Sequence, residues 1–345
     1  ITHTGSGTVP ATGAVTTITT SVETVRFADG DVTIDPIQVI NGTSGAVTSY
    51  ATIEAAIAAS TSGDTVRIAA GEYTLAGQLN ISKSLTIIGA GEGEVTLKTA
   101  TAGYGIHVTA DNVHISDLTL DASATTHYGF KVDPGTGIPA DTLTGFQLEN
   151  VTVQGAGRSE IDLNGVDNSS LTNVTADGMG TAGVGIALSD STGIVLTDIT
   201  TTGNNWGSVG LYSAGRSYDP GTNDVTFNGS YSHGEPIGIY ADEEGVTSVG
   251  NIDFGGIFPG GVYAVQNEAH RDGGGDGRGD DFTFFFGSEA EAVAFALNLQ
   301  LLGGGNTASV ITGPLGPDDV DAELGTTFIV AEGMSIQEAI DNASD

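Results

Sequence analysis

Val113-His-Ile-Ser-Asp-Leu-Thr-Leu120, Phe146-Gln-Leu-Glu-Asn-Val-Thr-Val153, Ser169-Ser-Leu-Thr-Asn-Val-Thr-Ala176 and Ile194-Val-Leu-Thr-Asp-Ile-Thr-Thr201 are one phrase written four times, and Val225-Thr-Phe-Asn-Gly-Ser-Tyr-Ser232 is a weaker fifth copy. Aligned on the aliphatic residue after Asn or Asp (Leu118, Val151, Val174, Ile199), the first four lie 33, 23 and 25 residues apart. A second strand recurs between them: Gly105-Ile-His-Val108, Gly129-Phe-Lys-Val132, Glu160-Ile-Asp-Leu163, Val184-Gly-Ile-Ala-Leu188, Val209-Gly-Leu-Tyr212 and Ile237-Gly-Ile-Tyr240. Strands repeating at a fixed period with no helix between them are a solenoid signature. Each copy alternates apolar and polar residues, as a half-buried strand does. No copy can bury its apolar face alone, but stacked copies bury Ile, Val and Leu in one continuous core.

These patterns predict an all-β chain: a right-handed parallel β-helix with about 22–30 residues per coil. The column Asp117, Asn150, Asn173 and Asp198 is expected to form a polar ladder at the bends, its side chains bonding turn backbone.

The composition narrows the partners. Lys and Arg number 9 against 43 Asp and Glu, a formal charge of −34, which excludes nucleic acid or an anionic membrane as the main partner. It favours divalent cations, a salty medium or simple solubility. There is no cysteine, so no disulfide framework exists. No run of 18 apolar residues occurs, so nothing is expected to insert in a membrane. The sequence begins at Ile1 without a signal peptide, and is expected to be a piece of something longer.

Residues 1–48 read as a strand-rich linker or edge containing Thr24-Val-Arg-Phe-Ala-Asp-Gly-Asp-Val-Thr-Ile34, with a turn at Asp29-Gly30. That piece resembles the tail that closes modules in large secreted calcium-binding repeat proteins of bacteria; a plain hairpin explains it equally well. Residues 49–267 read as the β-helix. It opens with Thr52-Ile-Glu-Ala-Ala-Ile-Ala-Ala-Ser60, a short helix with Ile53, Ala56 and Ile57 on one face. This helix, Gly63-Asp-Thr-Val-Arg-Ile-Ala-Ala-Gly-Glu-Tyr-Thr74 and Ile81-Ser-Lys-Ser-Leu-Thr-Ile-Ile-Gly-Ala-Gly91 together resemble the first coil of pectate-lyase-like β-helices. The resemblance implies that the helix caps the amino-terminal end of the solenoid. It is specific for fold and nearly silent on activity.

Residues 268–325 read as a C-terminal strand and helix cap: a Gly/Asp loop over 270–281, an aromatic strand Phe282-Thr-Phe-Phe-Phe286, and a helix to about residue 302. Ser288 and Glu291 make a capping box, with Ala290, Val293, Ala294 and Leu297 on one face. In 326–345, Ser335-Ile-Gln-Glu-Ala-Ile-Asp-Asn-Ala343 repeats the phrase at residue 52 and reads as the start of a following module.

The outward row of the second strand is expected to carry Lys131, Asp162, Ala187, Tyr212 and Tyr240, with Asp133, Asn164, Ser189, Ala214 and Asp242 beside it. Glu160, Arg158 and His127 lie near one end. By the pectate-lyase-like resemblance, lyases and polyuronate epimerases of this fold work on such a face. They use a cation to neutralise the uronate carboxylate, a base for the C5 proton and an acid for the glycosidic oxygen. Lys131 or Arg158 could neutralise; Tyr212, Tyr240 or His127 could exchange protons, with Asp162 beside them. The Asp-Pro-His motif of alginate epimerases is absent, the nearest string being Val132-Asp-Pro-Gly135. The bland alternative is a solvated face on which Lys131 pairs with Asp162 for under about 1 kcal/mol. Trp206, Tyr212 and Tyr240 are the carbohydrate-stacking candidates, Trp206 being placed in a loop between coils.

Gly274-Gly-Asp-Gly-Arg-Gly-Asp-Asp281 approaches a calcium-binding nonapeptide, with Asp276, Asp280 and Asp281 as candidate Ca²⁺ ligands, though its aspartate is displaced.

Two kinds of function fit. The first is a calcium-stabilised structural module of a large secreted or surface-anchored bacterial protein (surface layer, adhesin or extracellular filament) at the cell surface. Its partners would be copies of itself or adjacent modules. The second is a lyase or C5-epimerase on an acidic polysaccharide, or carbohydrate binding without turnover.

Overall fold

The protein is described from a computed structural model. It describes residues 24–27, 30–33, 36–100, 102–135, 142–212, 222–242, 250–259, 262–269, 280–301, 307–311 and 326–328. The repeat helix expected at 335–343 and the Gly/Asp loop over 270–279 lie outside them.

Thr24–Phe27 and Gly30–Thr33 pair antiparallel as a hairpin, with Phe27 opposite Gly30. The remaining strands join one continuous sheet wound into a parallel β-solenoid, matching the right-handed β-helix read from the repeats. The opening coil begins at Ile37–Ile40, antiparallel to both Val47–Tyr50 and Thr65–Ile68. Between them lies helix α1, Ile53–Ala59. Thr52 caps it by accepting the Ala55 N–H at 3.2 Å, and Ile53, Ala56 and Ile57 are its buried residues, as the helical spacing predicts. Its C-terminal carbonyls are held by Lys83, whose Nζ donates to the carbonyls of Ile57 (3.1 Å), Ala58 (2.9 Å) and Ser60 (2.6 Å). A cation at a helix C-terminus also opposes the negative end of the dipole, so Lys83 fastens the cap to the first coil.

From there strands stack in parallel. His114–Asp121 pairs with Gln147–Gln154, which pairs with the 24-residue strand Val166–Ser189, which pairs with the 21-residue strand Thr192–Tyr212. Leu118, Val151, Val174 and Ile199 fall in one register, as the alignment requires, and all are buried. Each such side chain, fully buried, is worth roughly 1.5–3 kcal/mol, so stacking rather than any one coil stabilises the fold.

The strands turn corners without breaking because the corner residues adopt left-handed backbone. Asp117, Asn150, Asn173 and Asp198 have φ of 60°, 53°, 50° and 53°, a region in which Asn and Asp are the best-tolerated side chains after glycine. The ladder exists, but its bonds run mainly side chain to side chain: Asn150 Nδ2 donates to Asp117 Oδ1 (3.0 Å) and Asn173 Nδ2 to Asn150 Oδ1 (2.9 Å). Asp198 alone of the four bonds turn backbone, the Ser230 N–H at 2.8 Å. A second left-handed column is Asn112, Gly145, Asn168, Gly193 and Asp224. The weak fifth copy has one extra residue: Thr197 pairs with Asn228 but Ile199 with Tyr231.

The stack closes when direction reverses. Asp280–Phe286 lies antiparallel to both Ile237–Asp242 and Tyr263–Ala269. Helix α2, Glu289–Leu301, opens at the expected cap: Ser288 Oγ accepts the Glu291 N–H (3.3 Å) and donates to Glu291 Oε2 (3.0 Å). Its buried face is a correction. Ala292 and Ala296 are buried, with Phe295 against Phe284 and Phe286, whereas Ala290 and Ala294 are exposed. The helix is apolar almost all round, so spacing could not choose its face; the aromatic strand beneath it did.

Candidate active site

The second strand of the coils holds most of the residues expected at a site. His107 pairs with Lys131, Lys131 with Asp162, Asp162 with Ala187, Ala187 with Gly210 and Gly210 with Gly238. Tyr212 is opposite Ser189, and Tyr240 opposite Tyr212. This corrects the expected row: Tyr212 and Tyr240 stand two residues along, in the Asn164–Ser189 column, and do not line up with Lys131 and Asp162.

Nor is the row a solvated face. Lys131 is 7% exposed and Asp162 4%. Lys131 Nζ hydrogen-bonds Asp162 Oδ2 and lies 3.5 Å from Asp133 Oδ2, while Asp133 Oδ1 sits 3.0 Å from His107 Nε2. Burial pushes the Asp162 carboxyl up, opposed by the adjacent Lys131 and by Arg158. Burial acts the same way on Asp133, but the His107 hydrogen bond and the Lys131 charge outweigh it and hold that carboxyl down. This is a desolvated charge network, to which surface-pair energetics do not apply.

Beside it is an open aromatic and cationic patch. The Tyr104 ring lies 5.5 Å from His107, 6.1 Å from His127 and 5.5 Å from Tyr128. Lys131 Nζ is 5.3 Å and the Arg158 guanidinium 5.6 Å from the Tyr128 ring centroid. Arg158 and His127 are exposed, and the Arg158 N–H donates to the His127 carbonyl at 2.7 Å, tying the two coils together there. His127 Nδ1 is 2.9 Å from Thr126 Oγ1. Burial pushes the Tyr128 hydroxyl up to about 12, with the Asp162 charge adding to it, so it holds its proton at neutral pH.

Of the residues expected at a site, Lys131, Asp162, Arg158 and His127 are brought together over two adjacent coils. Tyr212 lies further along the axis, its ring folded over Gly210, where an added Cβ would stand 2.7 Å from Tyr212 Cε2. Trp206 is not in a loop but within Thr192–Tyr212, at an irregularity where Ala182 pairs with Asn204 and Val184 with Gly207. Asp280 and Asp281 open the strand Asp280–Phe286 and so do not belong to a loop, and Asp276 lies outside the described residues. Tyr104, His107 and Tyr128 were not expected. Their signal was present: Tyr104-Gly-Ile-His-Val108 and Tyr128-Gly-Phe-Lys-Val132 are the same phrase in adjacent coils.

Residues 41–263, well over half of the chain, match the family described as rhamnogalacturonase A/epimerase, pectate lyase-like. The chain belongs to that family. Among solved structures it is similar to the A-module of the mannuronan C-5 epimerase AlgE6 of Azotobacter vinelandii: 18% identity, 53% of this chain, 60% of that one, TM-score 0.37. It is also similar to ORF18 of Geobacillus virus E2 (12%, 55% and 46%, TM-score 0.38) and to an alginate lyase from Paenibacillus sp. (13%, 58% and 96%, TM-score 0.36). The chain spans less than two thirds of the first two. These likenesses are of solenoid architecture, and the activities belong to those proteins. No curated protein matches the chain.

Proposed function

We propose that this β-helix binds an acidic polysaccharide across the Tyr104–Arg158 face and acts on its uronate units by proton abstraction. The observation that carries this reading is the exposed Arg158 guanidinium held over Tyr128 with exposed His127 alongside. Membership of a pectate-lyase-like family supports it. Arg158 would neutralise the uronate carboxylate and so acidify the C5 proton. The His127 imidazole would take that proton, and the Tyr128 hydroxyl would act as the acid. If the electron pair left at C5 expels the glycosidic oxygen, Tyr128 protonates that oxygen and an unsaturated sugar results. If C5 is reprotonated from the opposite face, the sugar is epimerised. The Lys131–Asp133–Asp162 network would hold Tyr128 from behind.

A net charge of −34 repels a polyanion at long range. Binding should therefore strengthen with added salt or divalent cations. The test is incubation with polygalacturonate and alginate in deuterium oxide, following ultraviolet absorbance for unsaturated product and proton NMR for deuterium at C5. Neither signal on either polymer would sink the reading, and Arg158→Ala should abolish whichever appears.

The extreme acidity supports a second reading, a calcium-stabilised module of a large secreted or surface-anchored bacterial protein, assembling with its own kind. Calcium-dependent assemblies in light scattering and electron microscopy, with no turnover in the assay above, would favour it.

A further inference from the structure

Lys131 and Asp162 stand opposite one another in register on adjacent coils, Lys131 on Tyr128–Val132 and Asp162 on Ser159–Asn164. Their side chains meet: Lys131 Nζ hydrogen-bonds Asp162 Oδ2, and the two residues are 7% and 4% exposed. The chain has three lysines, Lys83, Lys98 and Lys131, and the last differs in kind. Lys83 directs its ammonium to the carbonyls behind α1, and Lys98 reaches Glu72 at 3.0 Å with 39% of its side chain in solvent. Lys131 is instead held between two carboxylates, that of Asp162 and that of Asp133, whose Oδ2 is 3.5 Å from Nζ. The Tyr128 ring lies against the same amine, 5.3 Å from Nζ.

Taking two ions out of water costs about what their attraction returns, so a buried pair gains little by remaining charged. Transfer of one proton from Nζ to Asp162 removes both charges and leaves an amine against a carboxylic acid. Burial already pushes the Asp162 carboxyl up, with Lys131 and Arg158 opposing. Amine and acid in contact are the reactants of an amide, and fixing them in place turns a bimolecular encounter into an intramolecular one. The third group is Asp133, whose Oδ1 is tied to His107 Nε2 at 3.0 Å. Against its own burial, the His107 hydrogen bond and the Lys131 charge hold its carboxyl down, so it is a carboxylate able to carry a proton.

We propose that Lys131 and Asp162 condense to an isopeptide bond, with Asp133 as the proton carrier. The Nζ lone pair attacks Asp162 Cγ and forms the N–C bond. Asp133 takes a proton from the nitrogen and passes it to the departing hydroxyl; the C–O bond breaks and one water leaves. Nothing is oxidised or reduced, and Asp133 ends as it began. The ion pair is the reactant, present until the amide forms. The product staples neighbouring coils between residues 31 apart, in a chain that has no cysteine to do so by disulfide. It needs no polysaccharide and stands apart from that reading.

The test is the intact mass of the whole chain under denaturing conditions, followed by proteolysis and peptide sequencing by mass spectrometry. After incubation at neutral pH the wild type should weigh one water less than its sequence. Digestion should release a branched peptide joining the segment around Lys131 to the segment around Asp162. Lys131→Arg keeps the charge but offers no amine, so it should keep its full mass. Asp133→Ala should link many-fold more slowly than the wild type; linking at the wild-type rate would overturn the role given to Asp133. A wild type that stays at full mass would overturn the bond and leave an ion pair. So would a loss of water that persists in Lys131→Arg, which belongs to a cyclic imide at an Asp-Gly pair such as Asp177-Gly178. Should Lys131→Arg fail to fold, the wild-type digest decides: the branched peptide supports the bond, and separate unmodified peptides carrying Lys131 and Asp162 overturn it.

Discussion

One column of outward positions runs the length of the solenoid, and its two halves differ. In the earlier coils it reads His107, Lys131, Asp162, and every side chain there is engaged with its neighbours or with Tyr128. In the later coils it reads Ala187, Gly210, Gly238, and the face is filled by the Tyr212 ring lying over Gly210. The backbone and the register are the same in both. The scaffold therefore tolerates charge or its absence at a given rung, and the charge network is confined to about three coils by side chains alone.

The largest way to break that contrast is Lys131→Ala. It would leave Asp162 buried without its cation, at a cost of roughly 3–5 kcal/mol. Urea denaturation should show it, and Lys131→Met with Asp162→Leu should recover most of the loss. If Lys131→Ala costs no more than a surface mutation, the network is hydrated and the contrast collapses. Gly185→Ala is next: its methyl would meet the Ser208 carbonyl at 2.7 Å. Such a clash should cost about 1–3 kcal/mol, whereas Ala187→Ser, two residues away on the outer face, should cost well under half of that in the same titration. Asn173→Ala removes a ladder bond and forces alanine to φ 50°, for about 1–2 kcal/mol; Asn173→Gly should restore the backbone part.

pH separates the ends of the coil. The N–H groups of Thr61 and Gly42 hold Asp64 below its ordinary value, so its contribution is present near neutrality and lost as pH falls through that lowered value. Glu160 runs the other way. Its contribution is full below its ordinary 4.5 and is lost as pH rises toward about 8. Calorimetry should find Glu160→Gln flat where the wild type declines, and Asp64→Asn flat at the acid end. The smallest expected stability effect is at Arg158→Ala, within about 0.5 kcal/mol because the side chain is exposed. On the proposed function, its loss should be read in polysaccharide turnover.

Much was legible in the residues themselves. Apolar alternation marked the strands, the Asn/Asp column marked the corners, and the spacing of Ile53, Ala56 and Ile57 marked the capping face of α1; each follows from local geometry repeated along the chain. What tertiary structure decided was which side chains meet. Inside and outside alternate with a period of two, so displacing a strand by two residues leaves every core residue inside and every polar residue outside. That is why Tyr212 could be read as outward and still be set beside the wrong neighbour. It is also why the burial of Lys131 with Asp162 became visible only once the coils were stacked. The full burial of Glu160 needed stacking too, because it is the adjacent coils that cover it.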